Sequence, residues 1–377
     1  MNSIIETLPA FLQTAWEKHE FTDWTRVQKE VLPEAFEGRQ LIVEAPTGSG
    51  KTLAYLLPAL KDADPALKQT QVVIAVSTRE LAMQVLQEVQ AWSADSTLTS
   101  AAMIGGANVK RQQEKLKKKP AVIVGTPGRL MEHISSRKLK MHQVQSLILD
   151  EADQLFAPEH IESTENLMKS VQRDCRKMIV SATIPPRVEK LAAEKLDDPK
   201  IIRIEPDQAF LESMTHVYIE APLREKGNML LRLTAVEGFR GIVFSNDRFE
   251  LEKLAGRQEG KKRAAAVLHA ETSREDREKA IKSVRSGEVS VLLATDVASR
   301  GLDLPDLSFV VQMDTANDLK QYIHRAGRTA RAGNTGTVVS IVTEGEKERL
   351  EQMTTSLHIP LQKGILKQGA LVLEGKP

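Results

Sequence analysis

Two stretches of this chain carry residue types that could act together on a phosphate. Ala45-Pro46-Thr47-Gly48-Ser49-Gly50-Lys51-Thr52 is a glycine-rich turn ending in Lys-Thr, and far downstream Asp150-Glu151-Ala152-Asp153 supplies three carboxylates. Glycines at 48 and 50 let the backbone turn tightly and aim its amides at phosphate oxygens. Lys51 suits the terminal phosphates and Thr52 a magnesium ion. Asp150 is the natural second partner of that ion, direct or through water, and Glu151 can orient and deprotonate an attacking water. Each stretch alone has a plainer explanation: a tight turn, or acidic residues facing solvent after a strand. Gly-Lys-Thr between an apolar run and a helical one, paired with the acidic run, tells against both. The chemistry indicated is nucleotide hydrolysis, with Ala45 standing where the general phosphate-loop pattern has its first glycine.

The elements that must position these residues read as alternating strands and helices. Leu41 to Ala45 leads into the loop, and Lys51 to Leu60 continues as a helix that stops near Asp62 to Pro65. Gln71 to Val76, Ala121 to Val124, Ser146 to Leu149 and Lys177 to Val180 are further apolar runs, and Ile201-Ile202 opens a sixth. Short apolar runs separated by amphipathic helical segments predict a mainly parallel sheet covered on both faces, with ligands beyond the carboxyl ends of its strands. A second series follows Glu205-Pro206-Asp207: Met214 to Ile219, Gly241 to Phe244, Ala264 to Leu268, Val289 to Leu293, Leu307 to Gln312 and Gly336 to Val342. At 377 residues the chain exceeds the usual extent of one core, so two domains are expected, 1–207 and 208–377. Glu205 to Glu212 is the linker, although Phe210 and Leu211 can pack. After Val342 the sequence predicts an amphipathic segment, Glu344 to Leu357, and a brief tail to Pro377.

Composition narrows the class. Hydrophobic content of 41% and charged content of 27% describe an ordinary globule. No stretch approaches the roughly 20 apolar residues of a membrane span, and Met1 to Glu6 lacks the basic start and apolar core of a secretory signal, so a cytoplasmic protein is expected. The single cysteine, Cys175, excludes an internal disulfide framework and a multi-cysteine zinc site. Fifty-two Lys and Arg against 51 Asp and Glu give a net charge of +1, so any nucleic-acid binding depends on local patches. Two candidates are Lys110-Arg111 with Lys115, Lys117, Lys118 and Lys119, and Arg257 with Lys261, Lys262 and Arg263. Either could equally be a solvated face.

The phosphate loop, Asp150-Glu-Ala-Asp153, Ser181-Ala-Thr183 and His324-Arg-Ala-Gly-Arg328-Thr-Ala-Arg331-Ala-Gly333, in this order, resemble the DEAD-box family of ATP-dependent RNA helicases. The likeness runs from Phe11 to about Val342 and implies two tandem RecA-like α/β domains using ATP and Mg2+. It implies that Phe11 and Gln28 read adenine, although Trp24 and Arg26 stand where family members usually have proline. Gln28 offers both a donor and an acceptor, which would favour ATP over GTP. Thr47 to Thr52 would hold the phosphates, and Asp303 the ribose. The resemblance marks an RNA path through Ser77-Thr-Arg79-Glu-Leu-Ala82, Gly105-Gly106 and Thr126-Pro-Gly128-Arg129, with Ser77 in place of a usual proline, a mild departure. Arginines, hydroxyls and glycines suit phosphate and ribose contacts, so binding without base reading is expected.

Further along, the resemblance makes Ser181 and Thr183 partners of Asp153 that couple hydrolysis to RNA handling. It puts Thr295 near RNA phosphate, Arg328 and Arg331 near the terminal phosphate, and His324 near the acidic cluster around Asp153. Val243 to Asn246, and His269 to Arg277 with Arg274 where glutamine is common, match more loosely near RNA. The expected function is local separation of short RNA duplexes by domain closure, with release on hydrolysis. The compact form resembles small bacterial members associated with ribosome assembly and cold growth. Its partners would then be ribosomal RNA or pre-ribosomal particles, met as a monomer. Two rivals are a DNA-directed motor and an ATP-controlled clamp or scaffold that unwinds little. Intact Lys51, Glu151 and Arg328 argue against a dead enzyme.

Overall fold

Runs of Val, Ile, Leu and Ala, four to seven residues long, form the strands of two sheets, and helices with one apolar face fill the connections. The computed structural model describes residues 2–19, 21, 23–46, 48–205, 208–259, 264–299, 304, 307–330 and 334–374. The chain divides into two compact units, Met1–Glu205 and Pro206–Pro377.

In the first unit the strands are β1 (Leu41–Glu44), β2 (Val72–Ala75), β3 (Ser100–Met103), β4 (Val122–Gly125), β5 (Ser146–Asp150), β6 (Arg176–Ser181) and β7 (Lys200–Arg203). They pair in the order β3-β4-β2-β5-β6-β1-β7, every pair parallel. Alternate residues enter different cores: Val122 and Val124 join one cluster and Ile123 the other, as a sheet covered on both faces requires. The order places β1, β5 and β6 side by side, and β2, β3 and β4 side by side. All carboxyl ends share one edge.

The second unit contains β8 (Met214–Glu220), β9 (Gly241–Phe244), β10 (Ala265–Leu268), β11 (Val291–Ala294), β12 (Phe309–Gln312), β13 (Gly336–Val342), β14 (Leu361–Lys367) and β15 (Ala370–Leu373), ordered β10-β11-β9-β12-β13-β8-β14-β15. Among the described residues only the β14–β15 hairpin is antiparallel. Both sheets therefore match the expected RecA-like architecture.

Three features depart from the sequence reading. β3 is an additional strand, made of Ser-Ala-Ala-Met, whose small residues carry little strand signal. The brief tail after Leu357 is a folded hairpin: β14 adds in parallel to β8 and turns back through Gly369, φ 80. The expected linker carries a short helix, Gln208–Glu212, whose Leu211 is 2% exposed in the core. Among the described residues no helix is long and apolar enough to cross a membrane.

Candidate active site

The phosphate loop joins β1 to the helix Lys51–Asp62, with Gly48 and Gly50 at φ 81 and 90. A Cβ on Gly50 would sit 2.6 Å from Gln28 Nε2 and 3.0 Å from Thr25 Oγ1, so positive φ and close packing both require glycine there. Lys51 Nζ donates to the carbonyls of Ala45 at 2.6 Å and Pro46 at 2.7 Å. Ser49 Oγ donates to Pro46 O at 2.7 Å.

Gln28 is tied to this loop from behind. It is the third residue of the helix Arg26–Phe36, capped by Thr25: Gln28 N donates to Thr25 Oγ1, and Gln28 Oε1 accepts from Thr25 N at 2.9 Å. Gln28 Nε2 donates to Gly50 O at 3.2 Å. One N–H and one lone pair of its amide are left over. Phe11, on the helix Ala10–Lys18, packs half-buried against the core. Trp24, in place of the family proline, is buried with its ring 4.0 Å from that of Trp16, so aromatic packing fixes the chain ahead of the cap.

Asp150 ends β5 and is 6% exposed. Its Oδ2 accepts from Tyr55 OH at 2.9 Å and its Oδ1 from Glu151 N at 2.9 Å. Burial pushes the Asp150 carboxyl above its ordinary value, against the downward pull of the Lys51 ammonium. The Tyr55 hydroxyl is also raised, first by burial and then by the Asp150 charge, and Thr52 shares a side-chain hydrogen bond with it. Tyr55 thus joins the two residues expected at the metal. Its place one turn after Lys51 was the available signal.

Glu151 has left-handed backbone, φ 54, and its Oε2 accepts from Ser77 Oγ at 2.5 Å. Ser77 follows β2, the neighbour of β5, so this bond spans adjacent strand ends. Reading Ser77 as a mild departure from proline missed it: proline has no hydroxyl to offer the carboxylate. One strand further, Ser181 at the end of β6 donates its Oγ to Asp153 Oδ1 at 2.7 Å, and Thr183 N reaches Ser181 Oγ at 3.4 Å.

The residues expected on RNA cluster at the ends of β2, β3 and β4. Arg79 begins the helix Arg79–Trp92, capped by Thr78. Its guanidinium fills the space that a side chain on Gly106 would occupy, and Gly106 has φ 68. Thr126 precedes the helix Pro127–Ser135, where Arg129 pairs with Glu132 at 3.3 Å and Gly128 faces open space.

In the second unit, Arg325 is fully buried and grips Asp296 with Nε to Oδ1 at 2.8 Å and Nη2 to Oδ2 at 2.7 Å. It also donates to Gln312 Oε1, Asp314 O and Asn246 Oδ1, fastening the ends of β9, β11 and β12. The sequence reading gave this pair no role, because Arg325 was one arginine among several. Arg328 is 3% exposed, and its Nη2 meets His324 Nε2 at 2.6 Å. Thr295 follows β11, its Oγ1 accepting from Ala298 N at 3.4 Å. Thr47, Asp303 and Arg331 lie outside the described residues, as does the side chain of Arg274.

Comparison with known proteins gives the family and the fold. The sequence pattern described as DEAD/DEAH box helicase matches residues 25–191, and that of the helicase conserved C-terminal domain matches 225–333. The chain is 42% identical over 375 residues to the DEAD-box ATP-dependent RNA helicase CshC of Bacillus cereus, covering 99% of this chain and 96% of the relative. It is 40% identical over 362 residues to the probable ATP-dependent RNA helicase YfmL of Bacillus subtilis, covering 96% of each. Among solved structures, S. cerevisiae Dbp5 bound to RNA and ADP BeF3 superposes with a TM-score of 0.82, covering 94% of this chain and 93% of that one at 24% identity, a likeness of fold.

Proposed function

The chain belongs to the DEAD-box family of ATP-dependent RNA helicases, and from that premise we propose that it separates short RNA duplexes locally, in bacterial ribosomal subunit assembly and growth in the cold. That it is an ATP-hydrolysing RNA helicase follows from the family. Coupling of ATP to RNA in this reading is supported by one arrangement: the proposed nucleotide residues follow β1, β5 and β6, and the proposed RNA residues β2, β3 and β4, along the same edge of one sheet.

In this reading Lys51 exchanges its loop carbonyls for the terminal phosphates of ATP, while Gln28 turns its remaining amide valences to adenine beside Phe11. Thr47 to Thr52 cradle the phosphates, with Asp303 on the ribose. Asp150 and Thr52 suit Mg2+: both offer hard oxygens, and a dication relieves the burial that raises the Asp150 carboxyl. Mg2+ supplies charge neutralisation on the phosphate oxygens when bound. Glu151, steered by Ser77, takes a proton from the attacking water. Arg328 and Arg331 suit the charge of a phosphoryl group, and Ser181 holds Asp153 with Thr183 beside it. Arg79, Gly106, Thr126, Gly128, Arg129, Arg274 and Thr295 follow the RNA backbone. Relatives whose names mark them as RNA helicases support RNA as the partner. We place the protein in the cytoplasm as a monomer.

The test is hydrolysis and trapping. The parent protein hydrolyses ATP slowly alone and faster with RNA, while Glu151→Gln holds RNA in the presence of ATP but turns over poorly. Absence of RNA stimulation across single-stranded and structured RNAs, or equal stimulation by DNA, overturns the reading. Crosslinking the Glu151→Gln form in cells and sequencing its RNA identifies the substrate; recovery without ribosomal RNA overturns the assembly role.

A further inference from the structure

One basic patch singled out in the sequence has no part in the site above. Lys117 and Lys119 come together with Lys68, Arg137, Lys138 and Lys140 around a groove of about 430 Å³ that no carboxylate lines. The groove is built from the segments that lead into β2, β4 and β5, three adjacent strands. It therefore lies at the amino ends of the strands whose carboxyl ends carry Arg79, Arg129 and Glu151. All six cationic side chains are exposed. Only Lys117 has a carboxylate partner among the described residues, the exposed Glu114 one turn away at 2.7 Å.

Helix ends alone do not account for this concentration of charge. Lys119 and Arg137 follow the helices Val109–Lys117 and Pro127–Ser135, where cations are favoured by the helix dipole. Both occupy left-handed backbone, φ 53 and 57, where glycine is the unstrained choice. The carbonyls there are already met by backbone amides, Lys119 N to Leu116 O at 2.9 Å and Lys138 N to His133 O at 2.9 Å. Lys68 and Lys140 come from other segments. In a chain of net charge +1, six cations converge with one carboxylate partner, Glu114, among the described residues.

We propose that this groove is a second RNA-binding site, taking the phosphodiester backbone of RNA that flanks the segment held at the catalytic edge. The proposal rests on the chain acting on RNA. A protein partner would need an apolar anchor, and Leu116, the groove's apolar residue, is 6% exposed. Flexible ammonium groups suit a phosphate chain that presents no fixed geometry, while Gln113 and Gln143 can meet ribose hydroxyls. A flank held here raises the local concentration of the segment to be remodelled.

The test uses the whole protein with Lys119→Gln, Arg137→Gln, Lys138→Gln and Lys140→Gln combined, a charge-keeping variant with Lys119→Arg, Lys138→Arg and Lys140→Arg, and two RNAs. One is a short single strand that fills only the catalytic path; the other extends it with a long flank. With a non-hydrolysable ATP analogue, the parent binds the extended RNA about tenfold or more tightly than the short one. The glutamine variant loses that advantage, its salt slope falls by about 0.7 for each phosphate it no longer neutralises, and the arginine variant keeps it. Affinity for the short RNA and its stimulation of ATPase stay at parent values in both. Equal affinity of the parent for the two RNAs, an advantage retained by the glutamine variant, or polyglutamate binding lost in that variant while extended-RNA affinity is unchanged each overturn the proposal. Failure of the short RNA to stimulate the parent's ATPase overturns the catalytic reading instead, and is read separately from the effect of the flank.

Discussion

Glu151 combines a left-handed backbone, which residues other than glycine rarely adopt, with a hydrogen bond from the hydroxyl of Ser77. Removing the hydroxyl takes away its hold on the carboxylate that the proposed mechanism sets against the attacking water. Ser77→Ala is expected to lower the RNA-stimulated kcat about tenfold, the rate equivalent of roughly 1.4 kcal/mol, with KM for ATP little changed and Ser77→Thr restoring activity. Steady-state ATPase assays check this. Asp150 makes a prediction of opposite sign for stability. Its folded carboxyl titrates above its ordinary value, so the unfolded chain ionises first as pH rises, and stability is lost between the ordinary carboxylate value and the raised one. Asp150→Asn should therefore raise the melting temperature of the ligand-free protein at neutral pH, abolish hydrolysis, and give no gain in acid below the ordinary carboxylate range. Thermal melts across pH decide it. Cys175, buried and with its thiol pushed up to about 11, should resist thiol reagents in the folded protein at neutral pH.

Among the elements, caps and buried pairs carry the positioning. Thr25 ends the helix that holds Gln28 against Gly50, so Thr25→Ala should cost about 1 kcal/mol of stability and weaken ATP binding together, measured by melting and nucleotide titration. Asp296 neutralises the fully buried Arg325, and Asp296→Ala should destabilise the second unit by roughly 3 to 5 kcal/mol in denaturant unfolding. Strands rich in Val, Ile and Leu were legible because burial on both faces demands them. β3 was not, since Ala and Ser carry no pattern, nor was the half-exposed hairpin of β14 and β15, where Gln362, Lys363 and Lys367 interrupt the apolar run. Gly364 marks how closely that hairpin packs: a side chain there would run into Val217 and Leu371.

At the scale of the whole molecule, each unit has its own sheet and its own cores, which is why two separate folds could be read from a repeated pattern. Met1–Glu205 alone should melt cooperatively and bind an ATP analogue, yet show no RNA-stimulated hydrolysis, because Arg328 and Arg331, proposed above for the phosphoryl charge, belong to the other unit. The motif residues were legible since phosphate chemistry restricts which side chains can serve. Ser77 with Glu151, and Asp296 with Arg325, were not, because each pair unites residues distant in sequence that only the strand order brings together. That order has a consequence for timing. In the proposed function the ends of β2 and β5 form the seam between the RNA and nucleotide halves of the edge, and the hydroxyl of Ser77 crosses it, two residues before Arg79. Side-chain rearrangements run in picoseconds to nanoseconds, whereas collective domain motions take microseconds or longer. On that proposal, a strand bound at Arg79 acts on Glu151 through this hydroxyl without waiting for any larger movement.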